Sequence, residues 1–198
     1  MNYSVDVLYN ISKDLAFRYL KRYVDREVIK LAIYKSCLDK YITKKTLWNI
    51  IPLLSIDGVV AVQCNFINLG ELVAFAESEG YHYDVVLFYS QFLRGQVMRN
   101  FYIAEMPFVF IYKGDKVLMQ LLPNLLPTGD ASHVQGVASQ LVSLFTDTRD
   151  VVLCVGDSIV MAPTVKRLCR HVIAFGDDPA AVAEIRTEGI VLKEIIDV

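Results

Sequence analysis

The stretch VVLCVGDSIVMAPTVKRLCRHVIAFGDDP, residues 151–179, limits the possible folds more than any other part of the chain. An apolar run ends at one glycine, Gly156. A segment of helical character follows over 162–169, and a second apolar run, 171–176, closes on Gly-Asp-Asp-Pro. Strand, turn, helix and strand of these lengths make a βαβ unit with parallel strands and a right-handed crossover. The same order of parts builds nucleotide-type cofactor sites, where a glycine turn lets backbone N–H groups approach the ligand.

The rest of the chain repeats the alternation. SVDVLY (4–9) reads as a strand. Phe17, Leu20, Val24, Val28 and Leu31 recur at helical spacing and predict a helix over 14–42, with a second helix, LWNIIPLL, after Thr46. Asp57-Gly58 reads as a turn before a strand over 58–66. Asn68 is placed to cap a helix over 69–80, which Gly80 stops. Strands follow at 83–89 and 106–116, with SQFLRGQVMRNFYIAE as a loop between them. A helix over 132–145 starts at Asp130 or Ser132, and beyond 150–176 a helix (179–188) and a strand (189–194) end the chain.

This reading predicts a doubly wound α/β sheet of seven strands, mostly parallel. The strands at 83–89 and 106–112 lack a helix between them and so form an antiparallel pair. With 198 residues, no repeat and no Pro/Gly-rich linker, residues 1–198 read as one domain.

Composition narrows the function classes. Hydrophobic residues make up 54% and charged residues 21%, a surplus suited to a sheet buried on both faces and to a partner interface, homo- or hetero-oligomeric. No apolar run reaches the roughly 18 residues of a membrane span, and MNYSVDVLYNISKD lacks the pattern of a signal peptide. Cys37, Cys64, Cys154 and Cys169 have no zinc or redox spacing. They read as buried thiols of a reducing, cytoplasmic protein, with no metal site. His82, His133 and His171 are far apart and lack a nucleophile partner, which removes support for a hydrolase triad.

Net charge is −2, but residues 17–45 hold nine Lys or Arg against three acids, leaving eleven against nineteen elsewhere. On the expected helix, Arg18, Arg22, Arg26 and Lys30 fall every four residues on one stripe, with Lys21 beside it and tyrosines interleaved. Like charges at that spacing repel. A phosphate backbone would turn the cost into attraction, and the tyrosines could stack on unpaired bases. A solvated face balanced by Asp14, Asp25 and Glu27 is the alternative.

Four stretches, in order, resemble the DNA amino-methyltransferases (adenine-N6 or cytosine-N4) in their permuted arrangement, catalytic half first. TLWNIIPLLSIDGVVAVQCNFINLGELVAFAESEGYHYDVVLFYSQ resembles that family's helix, "lkpGG" turn, strand, helix, "eaGf" and strand. AEMPFVFIYKGDK is similar to its "hEyilvftKg" strand. LLPTGDASHVQGVASQLVSLFTDTRDVVL resembles the "hPtqKP" approach to the cofactor strand, and residues 151–179 resemble "VLDPFaGSGTTavaakrlgRrvIGiEiDP". The resemblance implies a Rossmann-like S-adenosylmethionine-dependent methyltransferase fold. Residues 1–116 would form the catalytic-type half and 117–198 the cofactor-type half.

The departures from the family pattern bear on activity. The family's first strand ends in Asp-Pro-Pro-Tyr, whose polar group and ring hold a flipped base. Here SVDVLY runs into NISKD, leaving Tyr9 and Asn10 as the catalytic candidates, or as a plain strand end and turn. The cofactor loop keeps Gly156, Asp157 and Ser158 but carries Ile159, Val160 and Met161 where small residues are expected. The ribose-binding carboxylate aligns with Gly176. Asp177 or Asp178 could replace it, or Asp178-Pro179 could simply start a helix. Pro127-Thr128 survive from "hPtqKP", making Thr128 a further cofactor candidate. Arg94 and Arg99 lie where the family builds target recognition, in a short loop.

Three readings follow. In the favoured one, the chain is an inactive methyltransferase-like subunit, dimeric or paired with another subunit, that binds nucleic acid or protein; a minimal chain of this kind would suit a virus or a mobile genetic element. In the second, it is an active S-adenosylmethionine-dependent methyltransferase with an atypical pocket. In the third, the fold is a structural scaffold.

Overall fold

In the computed structural model, residues 6–9, 16–18, 20–21, 27–36, 39–91, 102–115, 125–127, 133–168, 171–176 and 192–194 are described. They form one nine-stranded sheet with helices on both faces. The strands are β1 (Asp6–Tyr9), β2 (Ile29–Lys35), β3 (Leu54–Gln63), β4 (His82–Gln91), β5 (Tyr102–Tyr112), β6 (Leu125–Pro127), β7 (Val151–Val155), β8 (His171–Gly176) and β9 (Leu192–Glu194). The helices are α1 (Lys40–Ile50), α2 (Phe66–Ser78), α3 (His133–Phe145) and α4 (Ala162–Arg167). Strand order is β6-β4-β5-β3-β2-β7-β8-β1-β9. Only β5 runs against its neighbours, β3 and β4, as the helix-free connection from β4 predicts.

The seven-strand expectation misses two strands. β6 is a three-residue edge strand ending in Pro127, at an edge where a missing N–H costs nothing. The larger correction is β2. Residues 29–35 form the central strand of the sheet, paired on both sides, with β3 and with β7. The helix expected over 14–42 is therefore wrong beyond its first turns: residues 16–18, 20 and 21 are helical, Glu27 takes a left-handed φ of 65°, and the strand follows. Leu31, Ala32, Ile33 and Tyr34 are fully buried. A strand covered on both faces is apolar throughout, and over so few residues helical and strand spacing coincide.

Smaller boundaries also shift. Asp57 and Gly58 lie inside β3 rather than in a turn, and α2 is capped by Asn65, whose side chain accepts from Asn68 N, rather than by Asn68. Gly80 ends that helix region at φ 73°, as expected. Helix 179–188 and the loop arginines Arg94 and Arg99 lie outside the described residues.

Each face of the sheet has its own core. On one, α3 and α4 pack Val137, Leu141, Phe145 and Val165 against Ile33, Ala61, Phe110 and Cys154. On the other, α1, α2 and the 16–21 segment pack Phe17, Leu20, Leu47, Ile50 and Phe75 against Ala32, Val60, Leu153 and Phe175. Alternation along β2 and β7 feeds both cores at once. The chain halves are not sheet halves: β1, from the N-terminus, lies between β8 and β9.

Asp84 is the polar fault in the first core. It pairs with Phe110 across β4 and β5, is 7% exposed, and lies diagonally from Tyr112. Asp84 Oδ2 and the Tyr112 hydroxyl are both buried without a hydrogen bond of good geometry. Loss of solvent raises the Asp84 pKa, offset only in part by the nearby Tyr112 hydroxyl and by His82. The folded state therefore holds its proton to higher pH than the unfolded chain, whose value is about 3.9. Stability falls as pH rises from that value through the raised folded one. Asp84→Asn is expected to raise the urea midpoint at pH 7 and to leave it nearly unchanged near pH 3, as read by paired unfolding curves.

Candidate ligand crevice at the carboxyl edge

In an open α/β sheet, ligands bind outside the carboxyl ends of the strands where the winding reverses. That switch point lies between β2 and β7. From β2 the chain crosses through α1 to β3, and from β7 it crosses through α4 to β8, in opposite directions and over opposite faces. Strand register then orders the residues along this edge. Tyr34 pairs with Val155, Lys35 with Gln63, Val155 with Phe175, and Tyr9 with Gly176 and Glu194.

The crevice between β2 and β7 is bridged. Lys35 Nζ lies 3.2 Å from Asp157 Oδ2. Both side chains are about half exposed, so the pair contributes at most about 1 kcal/mol, but it spans the gap a ligand would enter. Two hydroxyls flank the same gap, Ser36 Oγ after β2 and Ser158 Oγ after β7, and each is buried without a hydrogen-bond partner. Buried hydroxyls ordinarily find a partner, so these two call for one of water size.

The turn after β7 explains its own sequence. Gly156 has φ 64°, a conformation that favours glycine. Its carbonyl packs on the end of β8 so closely that a Cβ at Gly176 would meet Gly156 O at 2.8 Å. Residues 156–161 then form a 3₁₀ turn that buries Ser158, Ile159 and Met161. Ile159 and Met161 belong to the core with α3 and α4. The large residues at the expected small positions thus pack into that core. α4 is six residues long with Pro163 in its first turn, too short to present an anion-binding N-terminus.

The sequence candidates meet only in part. Gly156, Asp157 and Ser158 come together at the crevice. Tyr9 ends β1, two strands away from β7, while Asn10, Asp177 and Asp178 lie outside the described residues. Thr128 does too, and its neighbour Pro127 ends β6 at the far edge, five strand spacings or about 24 Å from β7. Lys35 and Ser36 were missed because their strand was read as helix. The signal available was the apolar, unbroken run LAIY.

The basic stripe does not survive as drawn. Arg18 and Lys21 are exposed on the 16–21 segment, and Lys21 Nζ reaches Asn49 Oδ1 at 2.9 Å. Arg22 and Arg26 lie outside the described residues. Lys30 sits on β2 at the opposite edge, paired with Asp57 beside a polar cleft of about 290 Å³. That cleft also exposes Asp147 and Asp150, but Asp150 Oδ2 is taken by Asp147 N.

Cys64 and Cys154 are buried thiols whose pKa values burial pushes up to about 12, which removes them as nucleophiles. Among the described residues, no group of three or more His, Cys, Asp or Glu is placed to hold a metal ion. No described helix is long and apolar enough to cross a membrane.

No family model matches the sequence, and no curated protein matches it significantly. Solved structures do match. M1.HpyAVI superposes with a TM-score of 0.71 at 11% identity, over 94% of this chain and 100% of that one. TTHA0409 of Thermus thermophilus, described as a DNA modification methylase and complexed with S-adenosyl-L-methionine, gives 0.69 at 12%, over 98% and 99%. PvuII DNA methyltransferase, cytosine-N4-specific, gives 0.62 at 13%, over 98% and 88%. The chain has the Rossmann-like fold of these methyltransferases across nearly its whole length.

Two substitutions separate packing from pairing at this edge. Gly176→Ala puts a methyl group against rigid backbone and is expected to cost about 1–3 kcal/mol. Lys35→Ala is expected to stay within about 1 kcal/mol of the parent. Denaturant midpoints of the two variants check both values.

Proposed function

We propose that this chain is a methyltransferase-fold protein that no longer transfers methyl groups and acts as a nucleic-acid- or protein-binding subunit. One observation carries the reading: the turn after β7 is packed down onto β8, with the Gly156 carbonyl over Gly176. An adenosyl cofactor needs an open glycine turn and a carboxylate for its ribose. Among the described residues, Ile159 and Met161 stand where the turn would carry small side chains and position 176 has none to offer, while the other ribose candidates, Asp177 and Asp178, lie outside them. The Lys35–Asp157 pair adds a charged bridge across what remains.

A second reading, an S-adenosylmethionine-dependent DNA methyltransferase with atypical motifs, draws support from the two orphan hydroxyls, Ser36 and Ser158, beside the crevice. Isothermal titration with S-adenosylmethionine and S-adenosylhomocysteine separates the two. No heat is expected up to millimolar ligand, in the parent chain or in Asp157→Ala, which removes the bridge without touching Gly156. Micromolar binding by the parent would overturn the first reading. Gly156→Leu is not a usable control, because the left-handed backbone would strain under any larger side chain.

A further inference from the structure

We infer that the solvent face of α1 is a binding platform for single-stranded nucleic acid. The inference specifies a partner for the subunit role proposed above and rests on that reading. Around α1, Thr43, Thr46, Leu47 and Ile50 are buried. At 100° per residue, Tyr41, Lys45 and Trp48 fall on the opposite side, with the half-buried Lys44 on its flank. Tyr41 is 72% exposed and Trp48 47%, although aromatic side chains of this size ordinarily bury most of their surface. The stripe therefore reads aromatic, lysine, aromatic along the helix, with Lys44 at its border.

Trp48 is held as a platform. Its ring meets Phe75 of α2 edge-on, with centroids 6.0 Å apart, which fixes its orientation while nearly half its surface faces solvent. Tyr41 stands seven residues away, about 10 Å along the axis, a span of about three stacked nucleotides at roughly 3.4 Å each.

Charge selects the occupant. α1 contains no acidic residue in KYITKKTLWNI, in a chain whose net charge is −2. Exposed Arg18 and Lys21 extend the basic surface along one flank, where Lys21 reaches Asn49 of α1. An apolar protein partner would satisfy the rings but leave the lysines facing a desolvated surface. A single strand satisfies both, because unpaired bases stack on aromatic faces while phosphates meet the lysines. Duplex DNA offers phosphates but no free base faces, so single strands are preferred. This face binds without base flipping and independently of the crevice.

Trp48 is the chain's one tryptophan, so its fluorescence reports on this face alone. The full chain is titrated with an oligothymidylate of about twenty nucleotides and with a duplex of the same length, at about 50 mM and about 200 mM salt. Quenching of Trp48 by the single strand is expected, with binding at least about tenfold tighter than to the duplex. Tyr41→Ala is expected to weaken binding roughly tenfold. Lys44→Glu with Lys45→Glu should flatten the salt slope by at least about 1.4, the contribution of two phosphate contacts. Circular dichroism melts verify that both variants fold.

Absence of single-strand binding, or binding with no change at Trp48, would overturn the inference. So would unchanged affinity in folded variants, or a Trp48 signal that tracks the protein's own concentration, which would assign the face to self-association. None of these outcomes bears on the cofactor titration, so a failure of this inference is distinguishable from a failure of the reading it rests on.

Discussion

The pairing of β2 with both β3 and β7 is the interaction on which the rest of the molecule depends. It joins the part of the sheet that contains the antiparallel β5, β3 to β6, to the all-parallel part, β7 to β9 with β1. Four successive side chains, Leu31 to Tyr34, feed alternate faces and so contribute to both cores. Their burial places α1 and α4 on opposite faces and thereby creates the winding reversal at the carboxyl edge. A substitution in this strand would be felt in two cores and at the crevice together, because close-packed interiors transmit strain.

Much of the fold is legible in the sequence where period, length and punctuation agree. Strands at 151–155 and 171–176 are apolar runs closed by glycines, and α3 appears at nearly its predicted limits. The failure at residues 29–35 has a physical cause. The basic, tyrosine-rich sequence before the strand holds no proline or glycine, and Glu27 takes a left-handed φ there, a conformation its residue type seldom adopts. Lys113 Nζ holds that turn, at 3.0 Å from Glu27 Oε1 and 2.6 Å from Leu54 O. A side chain 86 residues away supplies what local sequence does not, and no periodicity argument can register it.

The candidate site was half legible for the same reason. Gly156, Asp157 and Ser158 follow a strand that the sequence announces. Lys35 and Ser36 follow the strand it conceals, whereas Tyr9, the candidate that the resemblance suggests, ends β1, two strands from β7. The basic stripe of Arg18, Arg22, Arg26 and Lys30 inherited the same error. The lysines and aromatics that do share a helix face belong to α1, whose start at the Asp39 cap is a local signal: its side chain accepts from Tyr41 N and Ile42 N.

Glycine retention is weak evidence for a ligand in this fold, and the carboxyl edge shows why. Gly156 is required by its own φ, and Gly176 by the Gly156 carbonyl packed against it. Each glycine therefore has a backbone reason that would persist after ligand binding was lost. The informative positions are the neighbours that a cofactor would keep small. Ile159 is fully buried and Met161 is 4% exposed, so the apolar surface they add is stabilising in the core beneath α3 and α4. Once such residues stabilise the closed turn, reopening it would expose that surface again. Packing at residues 159–161 thus accounts for this turn without reference to a ligand, whereas the buried hydroxyls of Ser36 and Ser158 have no partner among the described residues.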